Sequence, residues 1–306
     1  MKIVKVKDMN IEVPNGSAFN IKTGPNMLKA HQNSIFIGKR GSGKSVAVTN
    51  YLKMLKKEGS LHRIFVISPT FNSNKKLMKS LDIDSEDVYE PDDGANVIND
   101  IIQKAEEERD IYLKYHEDLK KWNLLMDKLN NRNIFIDDID QDLLLEFLTS
   151  DGFEKPVHKY NGKRPILAVF VDDCQSTNLF RTPKFLNFIT RHRHIADFET
   201  GGALGISCFI GIQNFKSQFG SCPRAVKNNA TSLGAFKMKD KKELQEIYES
   251  CAGEIDEKTF YEVYAHAINE PHSFLLIDLH KKDNHPSMFR KRFDEFIIPE
   301  KINYNL

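Results

Sequence analysis

Ser34-Ile35-Phe36-Ile37-Gly38-Lys39-Arg40-Gly41-Ser42-Gly43-Lys44-Ser45 is the stretch on which the fold turns. Its first four residues are a short apolar run that predicts a buried strand, and residues 38–45 match G-x-x-x-x-G-K-[ST] at each fixed position. After the loop, Val46, Tyr51, Leu52 and Leu55 recur at helical spacing and predict a helix over Val46–Lys57 with those four side chains buried. Strand, glycine-rich loop and helix in that order suit phosphate binding. Glycines let successive backbone N–H groups turn toward phosphate oxygens, and the helix start adds the positive end of its dipole. Gly38, Lys39, Arg40, Gly41, Ser42, Gly43, Lys44, Ser45 and Val46 are therefore the expected nucleotide-binding residues. Lys44 is expected to reach the terminal phosphates, and the Ser45 hydroxyl to coordinate Mg²⁺.

Outward from the loop, Arg63–Ser68, Ile166–Val171, Ile206–Ile212, Ser232–Phe236 and Phe274–Leu279 read as strands. Phe185–Ala196 and Lys241–Cys251 read as helices between them. Buried strands alternating with helices predict an α/β domain with a mostly parallel sheet. Apolar residues from Ile98 to Leu129, Trp122 among them, form one stripe on a charged segment, which predicts a long helix or helical hairpin. Such a helix exceeds what joins two strands of a compact sheet, so it reads as an insertion over about 95–132. Its tyrosines and tryptophan predict packing on this chain or on a neighbouring subunit. The expected organisation is 1–33 as N-terminal edge strands, 34–280 as the core with that insertion, and 281–306 as a C-terminal tail.

Mg²⁺ held at a phosphate loop needs an acid at the end of a nearby strand. Ile134–Asp138 and Leu167–Asp173 both end in Asp-Asp, but the second has the longer apolar run and is followed by a helix and another core strand. Asp172 is thus expected to serve the metal with Ser45, and Asp173 to act as the general base on the attacking water. The second acid favours hydrolysis over transfer to an acceptor, since water needs activation. Gln213, at the end of Ile206–Ile212, is placed to touch the γ-phosphate or the lytic water, because open α/β sheets bind ligands at that end of their strands. Arg191 and Arg193, with Arg224 as a third candidate, could neutralise transition-state charge in a neighbouring subunit.

Lys+Arg (44) and Asp+Glu (43) nearly cancel, which excludes a histone-like polycation, so a nucleic acid would have to meet a local patch. The basic clusters are Lys75-Lys76-Lys79, Lys237–Lys242, His280-Lys281-Lys282 and Arg290-Lys291-Arg292. Four widely spaced cysteines form no C-x-x-C pair, and residues 1–10 contain no apolar signal core. Reduced thiols and a chain that is not secreted are the expectation.

Together, GKRGSGKS, VFVDD, the helix ending in TRHRH, and ISCFIGIQN resemble the FtsK–HerA class of P-loop ATPases. More narrowly they are similar to the genome-packaging ATPases of large double-stranded DNA viruses and virophages, including the poxvirus type. The resemblance covers about Ser34–Phe236 without the helical insertion. It implies a RecA-like domain that hydrolyses ATP with Mg²⁺ in a ring of roughly five or six copies. It further implies double-stranded DNA and a capsid portal as partners, and a place in the host cytoplasm, at a viral factory, or with the virion. Lys44, Ser45, Asp172, Asp173 and Gln213 carry over to the roles already described, and Arg191 or Arg193 to the arginine acting in trans. Many of the wider class have Asp-Glu where this chain has Asp172-Asp173, and the shorter side chain reaches less far. A motor acting on single strands, a nucleotide-binding switch with little turnover, and a nucleotide or metabolite kinase are the alternatives.

Overall fold

In the computed structural model, which describes residues 21, 23–70, 79–130, 154–216 and 222–299, the phosphate-loop strand β1 (Asn33–Ile37) lies inside the sheet, with all five residues buried. The loop runs into α1 (Lys44–Lys57), then β2 (Arg63–Ile67), the short β3 (Val88–Tyr89) and α2 (Gly94–Asn130). Next come β4 (Leu167–Asp172), α3 (Pro183–Arg191), β5 (Ile206–Ile212), α4 (Arg224–Asn228) and β6 (Ser232–Phe236). The series closes with α5 (Lys241–Glu249), α6 (Glu257–Ala267), β7 (Phe274–Asp278), β8 (Phe289–Lys291) and β9 (Glu295–Ile297).

Among the described residues the sheet order is β3-β2-β4-β5-β1-β6-β7-β8-β9. The strands from β3 to β6 pair in parallel, and β6–β7, β7–β8 and β8–β9 are antiparallel. The expected α/β fold with a mostly parallel sheet is the fold observed. Alternation along each strand divides the core. Ile35, Ile37, Phe65, Ile67, Val169 and Val171 face one layer, with Ile98 and Ile101 of α2, Phe185 and Ile189 of α3, Ile247 of α5 and Phe260 of α6. Phe36, Val66, Phe170 and Phe209 face the other, beneath Val48, Tyr51, Leu52 and Leu55 of α1. Since β5 lies between β1 and β4, the C-terminal ends of the parallel strands bring the loop, the acidic doublet and Gln213 to one edge.

Three expectations change. First, α2 is a single helix of 37 residues, about 55 Å long. Its first turns are not an insertion, because Val97, Ile98, Ile101 and Ala105 lie in the main core. They form the crossover from β3 to β4, and the rest of the helix continues beyond the sheet. Along that continuation Tyr112 and Tyr115 pack on His158, and Tyr112 also on Phe198, so this part of the stripe rests on its own chain. Second, the core does not stop at residue 280: β8 and β9 extend the same sheet. Third, Arg290 and Lys291 are buried and do not present a basic face. The Arg290 guanidinium donates to the carbonyls of Asn26 and Phe293 and bonds the His285 ring, while Lys291 Nζ donates to Asn269 and Glu270.

The expected N-terminal strands (1–13), the Ile134–Asp138 candidate, and Lys75 and Lys76 lie outside the described residues. Among those described, no helix is long and apolar enough to cross a membrane.

Candidate active site

Hydrogen bonds within the chain hold the loop between β1 and α1. Gly38 N–H donates to Ile212 O at 3.1 Å, tying the loop start to β5, and Ser42 N–H donates to Lys39 O at 3.1 Å. A Cβ on Gly38 would lie 2.6 Å from Ser42 Oγ and 2.8 Å from Phe236 Cβ, so no larger residue fits. Gly43, with φ 101°, holds the left-handed turn that leads into α1. Lys44 is buried, and its Nζ donates to the carbonyls of Gly38 (2.7 Å) and Lys39 (3.3 Å) across the loop. Burial lowers the Lys44 pKa, and the charges of Asp172 and Asp173 oppose that shift. Ser42 Oγ is buried within the loop without a hydrogen-bond partner. A loop with a buried cation bridging its carbonyls and an unsatisfied hydroxyl fits a phosphate group.

Asp172 ends β4, and its Oδ2 accepts a hydrogen bond from Ser45 Oγ at 2.7 Å. Burial raises the Asp172 pKa, Asp173 adds to the rise, and the Ser45 bond and Lys44 offset it. Two oxygens bound cis to one Mg²⁺ at about 2.1 Å lie about 3 Å apart. The Ser45–Asp172 pair is close to that spacing and consists of hard oxygen donors, so both residues fit a magnesium ion. Asp173 takes a left-handed φ of 57°, a conformation Asp tolerates better than most residues. Its Oδ1 accepts from Gln213 Nε2 at 2.8 Å. The expected base and the expected amide sensor therefore touch.

Gln175, outside the expected site residues, completes this lacing. Its Oε1 accepts from the N–H groups of Gln213 (2.8 Å) and Asn214 (3.1 Å), and its Nε2 donates to Asn214 O (2.7 Å). One amide thus fixes the end of β5 against the turn that carries Asp173. The only sequence cue was its place two residues after the acidic doublet.

A cavity of about 1070 Å³ opens over the loop and extends past Lys44, Ser45, Asp172, Asp173 and Gln213 to a second wall. That wall comprises Val46, Asn50 and Met54 of α1, Pro271 and His272 before β7, and Arg292, Phe293 and Asp294 between β8 and β9. Val46 is 50% exposed, which corrects its expected place on the buried side of α1. Helical spacing finds an apolar face without distinguishing core from cavity. The C-terminal segment reaches the site because β7 runs antiparallel, so the loop before it and the β8–β9 turn arrive at the phosphate edge. His272 Nδ1 bonds Ser42 O at 3.3 Å, and the Phe293 ring stacks on Tyr51 at 4.5 Å, anchoring the second wall. Apolar Val46 and Met54 beside polar Asn50 and Asp294 suit the flat face and polar edge of a nucleobase.

The arginines lie elsewhere. Arg191 ends α3, and Arg193 sits in the helical turn His192–His194. Nδ1 of His192 bonds Ile206 O at 2.7 Å, at the start of β5. The seven residues of β5 separate that point from Gln213 by about 20 Å. Neither arginine joins the site of its own chain.

These features make the fold that of a P-loop NTPase. A family model described as P-loop containing dynein motor region matches residues 6–108. Among curated proteins none matches. Among solved structures, the genome packaging NTPase B204 of Sulfolobus turreted icosahedral virus 2 with ATP-gammaS is 13% identical, with a TM-score of 0.43 over 85% of this chain and 95% of that one. The pCW3 conjugation coupling protein TcpA is 13% identical at a TM-score of 0.43, over 87% of this chain and 61% of its own. B204, the DNA-packaging ATPase of Sulfolobus turreted icosahedral virus, is 14% identical at 0.41, over 86% and 98%.

Proposed function

We propose that the protein hydrolyses ATP with Mg²⁺ and couples hydrolysis to the movement of double-stranded DNA, packaging a viral genome into a capsid. The observation that carries the hydrolytic part is the pair of contacts at the loop: Ser45 to Asp172, and Gln213 to Asp173. Asp172 and Ser45 would hold Mg²⁺, which screens the charge that grows between the β- and γ-phosphates. Lys44 would leave the loop carbonyls for phosphate oxygens. Asp173, held by Gln213, would take the proton from the attacking water, and Gln213 would orient that water or the γ-phosphate. Arg191 or Arg193 would serve a neighbouring subunit of a closed ring, since neither reaches the site of its own chain. The resemblance of the motifs to packaging ATPases supports DNA and a capsid portal as partners and a virion-assembly setting.

The test is steady-state ATP hydrolysis with and without long duplex DNA, with Lys44→Ala as the blank. DNA-stimulated turnover that vanishes in Lys44→Ala is the expected result. Nucleotide binding without turnover under either condition would overturn the motor and favour a switch.

A further inference from the structure

At the sheet edge opposite the phosphate loop, a second cavity of about 680 Å³ opens to solvent. Its wall includes Lys29, His31, Arg193, His194 and Lys282, and among the described residues no carboxylate lines it. Lys29, Arg193 and His194 are exposed at its mouth. Lys282 is fixed from behind, its Nζ donating to the carbonyls of Thr23 (3.2 Å) and Gly24 (2.7 Å). His31 is fixed as well, with Nε2 bonded to Leu204 O at 2.8 Å. Asp278 lines an adjoining smaller cavity together with Lys29, His31 and Arg193, and is itself faced by His285 at 3.7 Å. Burial holds the His31 pKa below its ordinary value, the bond to Leu204 O opposes that shift, and Arg164, Arg193 and His194 add to the lowering.

We propose that this cavity is a second anion site and takes backbone phosphates of duplex DNA, an inference that rests on the motor reading above. An open wall that carries Lys29, Arg193 and Lys282, with no carboxylate among the described residues, attracts phosphate and repels metal ions. Among the described residues the wall has no Phe, Tyr or Trp to form the aromatic platform that single-strand binders use. Contacts of this kind hold DNA without reading its sequence, as a protein moving along arbitrary sequence requires. The site also gives Arg193 a role in its own chain, 20 Å or so from the hydrolytic residues.

The test is anisotropy of a labelled duplex over a salt series, with wild type, Lys29→Glu, Lys29→Arg and a charge reversal on another basic patch, Lys237→Glu. A thermal melt confirms that each variant folds. Lys29→Glu is expected to weaken binding equally for unrelated sequences and to lower the slope of log K against log salt by about 1. Lys29→Arg should keep wild-type affinity and slope. Equal affinity and slope for Lys29→Glu and wild type would overturn the site and leave the motor reading standing, as would an equal loss in Lys237→Glu. Absence of duplex binding by wild type would overturn both.

Discussion

Gly211→Ala adds one methyl group on β5 and is predicted to disable the metal site from behind. Gly211 is the register partner of Asp172 across the β4–β5 pair. A Cβ there would lie 2.8 Å from Asp172 Oδ1, where ordinary contact begins at 3.4 Å. The carboxylate must retreat by about 0.6 Å, the difference between those distances, or the strands must part. Asp172 is only 2% exposed and has little room, and its other oxygen holds Ser45 at 2.7 Å. A retreat of that size stretches the bond to about 3.3 Å and misplaces both magnesium donors. The φ of Gly211 is not left-handed, so alanine adds no backbone strain and the effect isolates the side-chain clash. Overpacking costs about 1–3 kcal/mol of stability. Displacing a neighbour that orients a metal ligand costs about 10–100-fold, or about 1.4–2.8 kcal/mol, in metal affinity or activity. The assay is ATP hydrolysis titrated with Mg²⁺ at saturating ATP, alongside a thermal melt. The variant should melt cooperatively, need more Mg²⁺ for half-maximal rate, and reach a lower plateau. A folded variant whose Mg²⁺ curve superimposes on wild type would refute the placement of Asp172 at the metal.

Asp173→Ala should keep ATP binding while hydrolysis falls by about 10²–10⁴-fold, and near-normal turnover would remove Asp173 as the base. Doping wild-type rings with Arg191→Ala chains should depress activity more than dilution does, whereas a linear response would argue against action in trans. Buried Glu108 accepts from Arg63 (2.9 Å) and Lys159, and Arg63 keeps other acid partners, so Glu108→Ala should lose about 1–3 kcal/mol in a denaturant melt. A loss below about 1 kcal/mol would mean that Asp87 and Glu86, which also pair with Arg63, hold it without Glu108. Burial, together with nearby positive charge, lowers the His192 pKa to about 4 from 6.5, despite the bond to Ile206 O. The unfolded chain therefore takes up that proton first as pH falls, and up to about 3 kcal/mol of stability is lost between pH 6.5 and 4, with none lost above. His192→Gln should flatten stability against pH in that window, and an unchanged slope would show that other groups set it.

The parallel half of the sheet was legible because strands buried on both faces read as unbroken apolar runs, as Leu167–Val171 and Ile206–Ile212 do. The loop and its acid were legible because phosphate and magnesium chemistry demand particular residues at strand ends. The antiparallel half was harder to read. β8 is Phe289-Arg290-Lys291, and its two cations are buried against Asn26, His285, Asn269 and Glu270, partners that local sequence does not reveal. Gln175 escaped notice for the same reason, since its meaning lies in β5, nearly forty residues on. Val46 shares the helical spacing of the core residues of α1, and periodicity marks an apolar face without saying what fills it.

The position of β1 in the sheet also has a consequence for how the chain is made. Asn33 pairs opposite Cys208, and Ser34 opposite Ser232, so the strand that carries the phosphate loop is synthesised early and paired late. Until both neighbours emerge from the ribosome, Ile35, Phe36 and Ile37 form an apolar strand with two open edges. Pairing so remote in sequence is slow, and an unpaired strand of this kind invites association with other chains. Production of the protein should therefore be limited by rescue of the nascent segment that carries β1, and should gain more from slower synthesis or added chaperone than from changes at the finished surface.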